Sequence, residues 1–182
     1  MAQANSNNIA NFLFEIGDLK RISRSGWWHC KINDPESVAD HSFRTALIAY
    51  ALAKKENSPN PEKVAFSALV HDLPEARLTD LHKLSASYIK NKKEIEAKIF
   101  KEQQSLLGFE FPKPTKSELM IIKDADLLEL AFSAKEYEKE GYKETKILFN
   151  RVKKQLKSGS SRSLFSSLEK TAASDWWATR IQ

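Results

Sequence analysis

Apolar residues in this chain recur at three- and four-residue intervals, and runs that alternate apolar with polar residues are almost absent. That spacing lines one face of a helix and gives no pattern for a half-buried strand. Glycine (5) and proline (6) are scarce among 182 residues. They fall mostly between the periodic stretches, where chain breaks belong. Val38, Phe43, Leu47, Tyr50 and Leu52 form an apolar stripe through PESVADHSFRTALIAYALAKKE, with Pro35 and Glu36 suited to its first turn. After two prolines, Val64, Ala65, Ala68 and Leu69 open a second stripe that ends in His71-Asp72. SASYIKNKKEIEAKIFKEQQSLLG reads as a long polar helix closed by Gly108, and SELMIIKDADLLELAFSAKEYEKEG as another closed by glycine. YKETKILFNRVKKQL, a Gly/Ser-rich break KSGSSRS and LFSSLEKTAASDWWATRI complete the chain. The expected fold class is all-α, a single compact bundle of about six or seven helices. Residues 1–8 are expected to be a flexible polar lead, and residues 9–182 one domain.

Composition narrows the function classes. Hydrophobic residues make up 41% and charged residues 29%, the balance of a globular domain able to bury one core. No run of about 18 apolar residues exists, so no membrane span is expected. The opening MAQANSNNIANFLF lacks the charged and apolar regions of a secretory signal. With one cysteine, Cys30, the chain forms no internal disulfide, and the cytoplasm is the expected compartment. The net charge of +5 is spread through mixed runs such as KNKKEIEAKIFKEQQ, where lysines stand beside acids. Such runs are solvated helix faces, so no polynucleotide partner is expected. A small phosphorylated ligand suits the same balance.

The four histidines carry the chemical signal: His29, His41, His71 and His82. His41 interrupts an apolar stripe, His71-Asp72 ends the next helix, and IIKDADLLEL sets Asp124 and Asp126 in a third apolar helix. Buried carboxylates are costly unless paired or bound to a cation. Three helices that each bring an imidazole or acid to an apolar face offset that cost by sharing one ion. Two imidazoles with two carboxylates form a mixed nitrogen and oxygen set, suited to Mn, Fe, Co, Ni or Zn rather than Ca. Glu75 stands four residues after His71 and three after Asp72, on the same side wherever the helix continues. Pro74 predicts a break or kink at Leu73.

The order His, His-Asp, Asp in an all-helical chain resembles the HD-domain metal-dependent phosphohydrolases. More narrowly, LKRISRSGWW, PESVADHSFR, LVHDLPEARLTDL and KDADLLELAFSAKEYEKEG resemble the small HD-domain 5′-deoxynucleotidases over residues 19–141, with C-terminal helices over 142–182. The resemblance implies that His41, His71, Asp72 and Asp126 bind one divalent metal (Mn, Co or Zn first, then Fe, Ni or Mg). Asp126 is preferred over Asp124 by the K-x-x-D spacing from Lys123, which leaves Asp124 a supporting or surface acid. Asp40 is expected to point away, since adjacent helical residues lie about 100° apart around the axis.

By the same resemblance Glu75 is the general acid or base, and Asp80 contacts the sugar hydroxyl or assists the leaving group. The family usually has glycine before that acid, and this chain has Thr79. Arg24 matches the phosphate-binding arginine, with Lys20 and Arg21 as weaker alternatives, and Trp27 is expected against the deoxyribose. The implied activity is hydrolysis of deoxynucleoside 5′-monophosphates by a homodimer. Two alternatives stand beside it. One is another nucleotide substrate (a triphosphate, a cyclic dinucleotide or an alarmone), and the other a non-catalytic helical binding protein with a structural metal. A full ligand set together with Glu75 and Arg24 argues against the last.

Overall fold

The computed structural model describes residues 5–181. Among them are ten α-helices, two 3₁₀ segments and no strand. Seven helices have nine residues or more: α1 (Ser6–Gly17), α2 (Val38–Lys55), α3 (Pro61–Leu69), α6 (Lys92–Leu107), α7 (Lys116–Lys139), α8 (Thr145–Lys153) and α9 (Gly159–Lys170). The expectation of six or seven helices is too low a count for the described residues, which form ten. The excess is three helices of four residues each: α4 (Glu75–Leu78), α5 (Lys83–Ala86) and α10 (Asp175–Ala178). One-turn helices carry too few residues to show a period, so the sequence pattern passes over them.

The all-α class holds, and several boundaries differ from expectation. Of the polar lead expected over 1–8, residues 1–4 lie outside the described residues. Ser6, Asn7 and Asn8 are already helical, because the Asn5 side chain accepts the Asn7 N–H and starts α1. α2 begins at Val38, after Pro35 and Glu36, where Ser37 and Asp40 exchange hydrogen bonds in a capping box. The stretch expected as one helix through SASYIKNKK is divided into α5 and α6. Gly108 ends α6 in the left-handed region, at φ 71°. In KSGSSRS the break is short: Ser158 accepts the Ser161 N–H, and α9 starts on Gly159.

The chain divides into two compact units, Met1–Phe43 with Leu69–Lys113, and Arg44–Ala68 with Pro114–Gln182. Neither is a continuous stretch of sequence, so no linker composition marks them. In the first unit α1 packs on α6 and touches α4. Phe12, Leu19, Val38, Val70, Leu73 and Leu107 form its buried core. Arg77 of α4 is pinned by Glu15 of α1 at 2.8 Å and Glu102 of α6 at 2.6 Å.

In the second unit α7 packs on α8 and α9 around Leu52, Val64, Leu128, Val152 and Phe165. Arg44 bridges Glu129 and Glu136 of α7 at 2.8 and 2.7 Å, and also donates to Ser133.

The stripe read into α2 is a correction. Phe43, Leu47 and Tyr50 are exposed, whereas Val38, His41, Ser42, Thr45, Ile48, Ala49, Leu52 and Ala53 are buried. The buried face is largely small, and the Ser42 hydroxyl bonds its own helix at Val38 O, 2.8 Å away. Polarity therefore misassigned the face, because small hydroxyl residues satisfied within the helix can pack as core.

Candidate metal and acid–base site

His71 and Asp72 do not end a helix. α3 stops at Leu69, and residues 70–74 form a tight turn with Leu73 N–H on Val70 O and Glu75 N–H on Asp72 O. Hydrogen bonds that span three residues wind the chain more tightly than an α-helix. The adjacent pair therefore sits in a turn and not on a continuous α-helical face. Pro74 closes this break as the residue before α4, with φ −57° and ψ −23°, and lacks the N–H that would continue the helix through it.

Three donor atoms gather in the first unit. His71 Nε2 lies 3.2 Å from Asp72 Oδ2, and His41 Nε2 lies 3.7 Å from the same oxygen. The two imidazole centroids are 5.8 Å apart. Asp72 Oδ2 is buried and accepts no hydrogen bond. Ligands about 2.1 Å from one ion, at tetrahedral or octahedral angles, lie roughly 3.0–3.4 Å from one another. A buried carboxylate oxygen without a hydrogen bond, facing two imidazole nitrogens at near that spacing, fits a divalent cation. The mixed donor set fits a transition metal rather than Ca. Asp126 lies on α7 in the second unit and is partly buried.

Asp124 is not a surface acid. It is 1% exposed. Its carboxylate accepts the Ser158 N–H at 2.7 Å, the Ser161 hydroxyl at 2.7 Å and the Lys157 N–H at 3.0 Å, anchoring the start of α9. Asp40 is exposed and engaged with Ser37, as expected of a residue turned away from the imidazoles.

Arg24 is placed by a short backbone pairing. Ser23 and Ser37 form an antiparallel bridge, with Arg24 N–H on Glu36 O and Val38 N–H on Ile22 O. The segment before α2 thereby brings the guanidinium beside the acids. Arg24 Nη1 lies 3.5 Å from Asp72 Oδ2 and 3.3 Å from Asp80 Oδ1. Of the alternatives, Lys20 is exposed and Arg21 pairs with Asp18 at 2.6 Å. Trp27 is 1% exposed and donates its indole N–H to Glu36 at 3.0 Å, anchoring the 3₁₀ segment Ser25–Cys30.

Glu75 opens α4 at 7% exposure, and its buried Oε2 accepts no hydrogen bond. Burial first, then the neighbouring charges of Asp72 and Asp80, push its pKa up to about 9, opposed by Arg24 and Lys92. A carboxyl group that keeps its proton at neutral pH can serve as a general acid.

Asp80 follows Thr79, which takes φ 61° and ψ 169°. That region is almost exclusive to glycine and costs about 1–3 kcal/mol in any other residue. The glycine-type turn is thus kept and the threonine is strained in it.

Two contributors, Ser25 and Lys92, escaped the sequence reading, and Thr79 was noted there without its strain. Ser25 holds Asp80 through its backbone N–H, 2.5 Å from Oδ2, and through its hydroxyl. Lys92 of α6 adds positive charge toward Glu75 and Asp72. Thr79 carries the strain. Lys92 is one lysine among many in a mixed run, and nothing singled out Ser25. Only Thr79 left a signal, as a substituted glycine.

A family model described as HD domain matches residues 16–166. The chain is 30% identical to the Dictyostelium discoideum 5′-deoxynucleotidase HDDC2, over 87% of this chain and 90% of that one. It is 28% identical to the Bos taurus protein of the same name, over 76% of this chain and 72% of the relative. A conserved hypothetical protein from Pyrococcus furiosus shares the fold with a TM-score of 0.72 and 35% identity, over 89% of this chain and 99% of that one.

Proposed function

This chain belongs to the HD-domain family, and we propose that within it the protein is a phosphomonoesterase hydrolysing deoxynucleoside 5′-monophosphates to deoxynucleoside and phosphate. The observation that carries this reading is the meeting of His41, His71 and Asp72 around an oxygen without a hydrogen bond, with Arg24 and a proton-holding Glu75 alongside. The names of the Dictyostelium and Bos relatives support the substrate class.

His41, His71 and Asp72 hold the divalent metal, and the K-x-x-D motif assigns Asp126 as fourth ligand. Mn, Co and Zn are the first candidates, with Fe, Ni and Mg behind them. When bound, such a cation polarises a phosphate oxygen and lowers the pKa of a coordinated water. Arg24 supplies a planar fork for two phosphate oxygens, offsetting charge as phosphorus is attacked in line. Water oxygen bonds to phosphorus while the bond to the 5′-oxygen breaks. Glu75 delivers its proton to that departing oxygen and is restored by the proton the attacking water gives up. Asp80 meets the sugar hydroxyl or assists the leaving group. Trp27, expected against the deoxyribose, is 1% exposed and bonded to Glu36, which fits a packing role instead. No covalent intermediate is required.

The resemblance also carries a homodimer, while the mixed charge runs argue against a polynucleotide partner and the single, buried Cys30 is compatible with a cytoplasmic setting. Among the described residues no helix is long and apolar enough to cross a membrane.

The test is phosphate release from paired 2′-deoxy- and ribonucleoside 5′-monophosphates with Mn, Co or Zn added. Turnover that favours the deoxy series supports the reading. Turnover confined to triphosphates, cyclic dinucleotides or alarmones replaces the substrate, and no turnover with metal bound leaves a binding protein.

A further inference from the structure

Gln103 of α6 is fully buried, and both protons of its side-chain amide go to other parts of the first unit. Nε2 donates to the Leu73 carbonyl at 2.9 Å and to Glu15 Oε1 of α1 at 2.8 Å. Two acceptors fix which end of the amide is nitrogen. Leu73 lies between Asp72 and Pro74, in the turn that carries His71 and Asp72 on one side and leads into Glu75 on the other. One buried amide thus straps the middle of this turn to two helices outside it.

Hydrogen-bond satisfaction does not account for a glutamine there. The Leu73 carbonyl also accepts the Ala76 N–H at 3.1 Å, and Glu15 Oε1 also accepts from Arg77 Nε at 2.8 Å. Neither acceptor would be bare without Gln103. The Gln103 oxygen is itself buried and accepts no hydrogen bond, a cost that an apolar side chain of the same length would not carry. What the amide adds is direction. The Ala76 bond is local and moves with the segment, whereas Gln103 ties the carbonyl to α6 and, through Glu15, to α1. Pro74 brings no N–H to the peptide that follows Leu73, so its carbonyl is the group by which that peptide is held.

We propose that Gln103 is a positioning residue: its amide holds the Leu73 carbonyl and thereby sets the directions in which His71 and Asp72 present their ligand atoms to the metal. A buried donor whose own oxygen goes unbonded serves geometry more than stability, and the two separate by experiment. This rests on the reading of His71 and Asp72 as metal ligands.

The experiment compares the full chain with Gln103→Met, nearly equal in length and without a donor. Ile99→Ala is the control: it opens a cavity one turn earlier on α6, at another buried residue, and removes no hydrogen bond. Calorimetry gives the Mn affinity of stripped protein and the melting of metal-free protein, and NMR gives the exchange of the Leu73 and Glu75 amide protons. Gln103→Met is expected to weaken Mn binding about tenfold and to speed exchange at both amides about tenfold, with metal-free melting close to wild type. Ile99→Ala is expected to melt earlier and to keep Mn affinity within about twofold of wild type. Gln103→Asn, whose amide is drawn back by one methylene, repeats the effect should the methionine variant fold poorly. Unchanged Mn affinity in folded Gln103→Met or Gln103→Asn, or a loss no larger than that of Ile99→Ala, overturns the proposal and leaves the metal site standing. Mn affinity undiminished by His71→Ala removes the metal reading instead. Amide exchange then decides the role of Gln103 in the turn: faster exchange in Gln103→Met sustains it and unchanged exchange overturns it.

Discussion

His71 Nε2 lies 3.2 Å from Oδ2 of its chain neighbour Asp72, and that oxygen is buried without a hydrogen bond. An acceptor so placed is costly alone and stabilising once a cation joins it. Metal-free protein is therefore expected to melt earlier than protein given Mn, Co or Zn. A concentration of 100 times Kd corresponds to about 2.7 kcal/mol. His71→Ala and Asp72→Ala are expected to abolish the metal-dependent shift seen by scanning calorimetry. A shift of the same size in either variant contradicts the assignment.

Glu75 gives stability a pH dependence with a definite sign. Its pKa in the folded chain is raised to about 9, against about 4.3 for an unperturbed glutamate. The folded state then holds a proton that the unfolded chain releases. The associated stability is fully present below the unfolded value and is lost as pH rises toward 9, by at most about 1.4 kcal/mol per pH unit. Urea melts of metal-free protein are expected to show wild type falling relative to Glu75→Gln over this window. A bound cation lessens the difference, because positive charge favours the carboxylate. Parallel curves for the two metal-free proteins contradict it.

Thr79 pays for a glycine-like backbone at φ 61°. Thr79→Gly relieves that strain and adds freedom to the unfolded chain, for a net gain of about 1 kcal/mol. The measurement is the urea midpoint at unchanged slope. A loss of stability shows that the threonine side chain contributes more than its backbone costs.

Asp124 and Asp126 are two residues apart and separate by experiment. Asp124→Ala strips the acceptor from Lys157 N–H, Ser158 N–H and the Ser161 hydroxyl. Loss of about 3 kcal/mol or more is expected, with metal affinity little changed. Asp126→Ala is expected to weaken metal binding with a smaller loss of apo stability. Calorimetric titration beside thermal melts reads both, and the reverse pattern exchanges their roles.

Arg24 and Arg21 give a similar contrast. Arg24→Lys keeps charge and loses the fork, so KM is expected to rise about tenfold. Arg21→Ala, which loses only an exposed pair with Asp18, is expected to leave KM near wild type. Equal effects contradict the choice of Arg24.

Much of this was legible in the chain. The long helices follow from period and from breaks such as Gly108, and the motif residues could be named because their chemical types are distinctive. What stayed hidden depended on small or common residues. Ser42, Thr45 and Ala49 turned α2 the opposite way from its large apolar residues, because a satisfied hydroxyl packs like a methyl-sized core group. Pro74 announced a break near Leu73, but not the start of the turn already at Val70 nor its three-residue hydrogen bonds. Ser25 and Lys92 act through position alone. Thr79 carried a trace, since a threonine where a glycine is usual means either a changed turn or a strained one.

The central claim is that one divalent ion per chain, held by the His41, His71, Asp72 and Asp126 set, is required for monophosphate hydrolysis. The direct measurement is phosphate release from a deoxynucleoside 5′-monophosphate as metal is titrated into stripped protein. Activity is expected to rise from background and saturate at one bound metal per chain, with Asp72→Ala silent throughout. Full turnover by stripped wild type in the presence of chelator, or undiminished turnover by Asp72→Ala, would contradict the account.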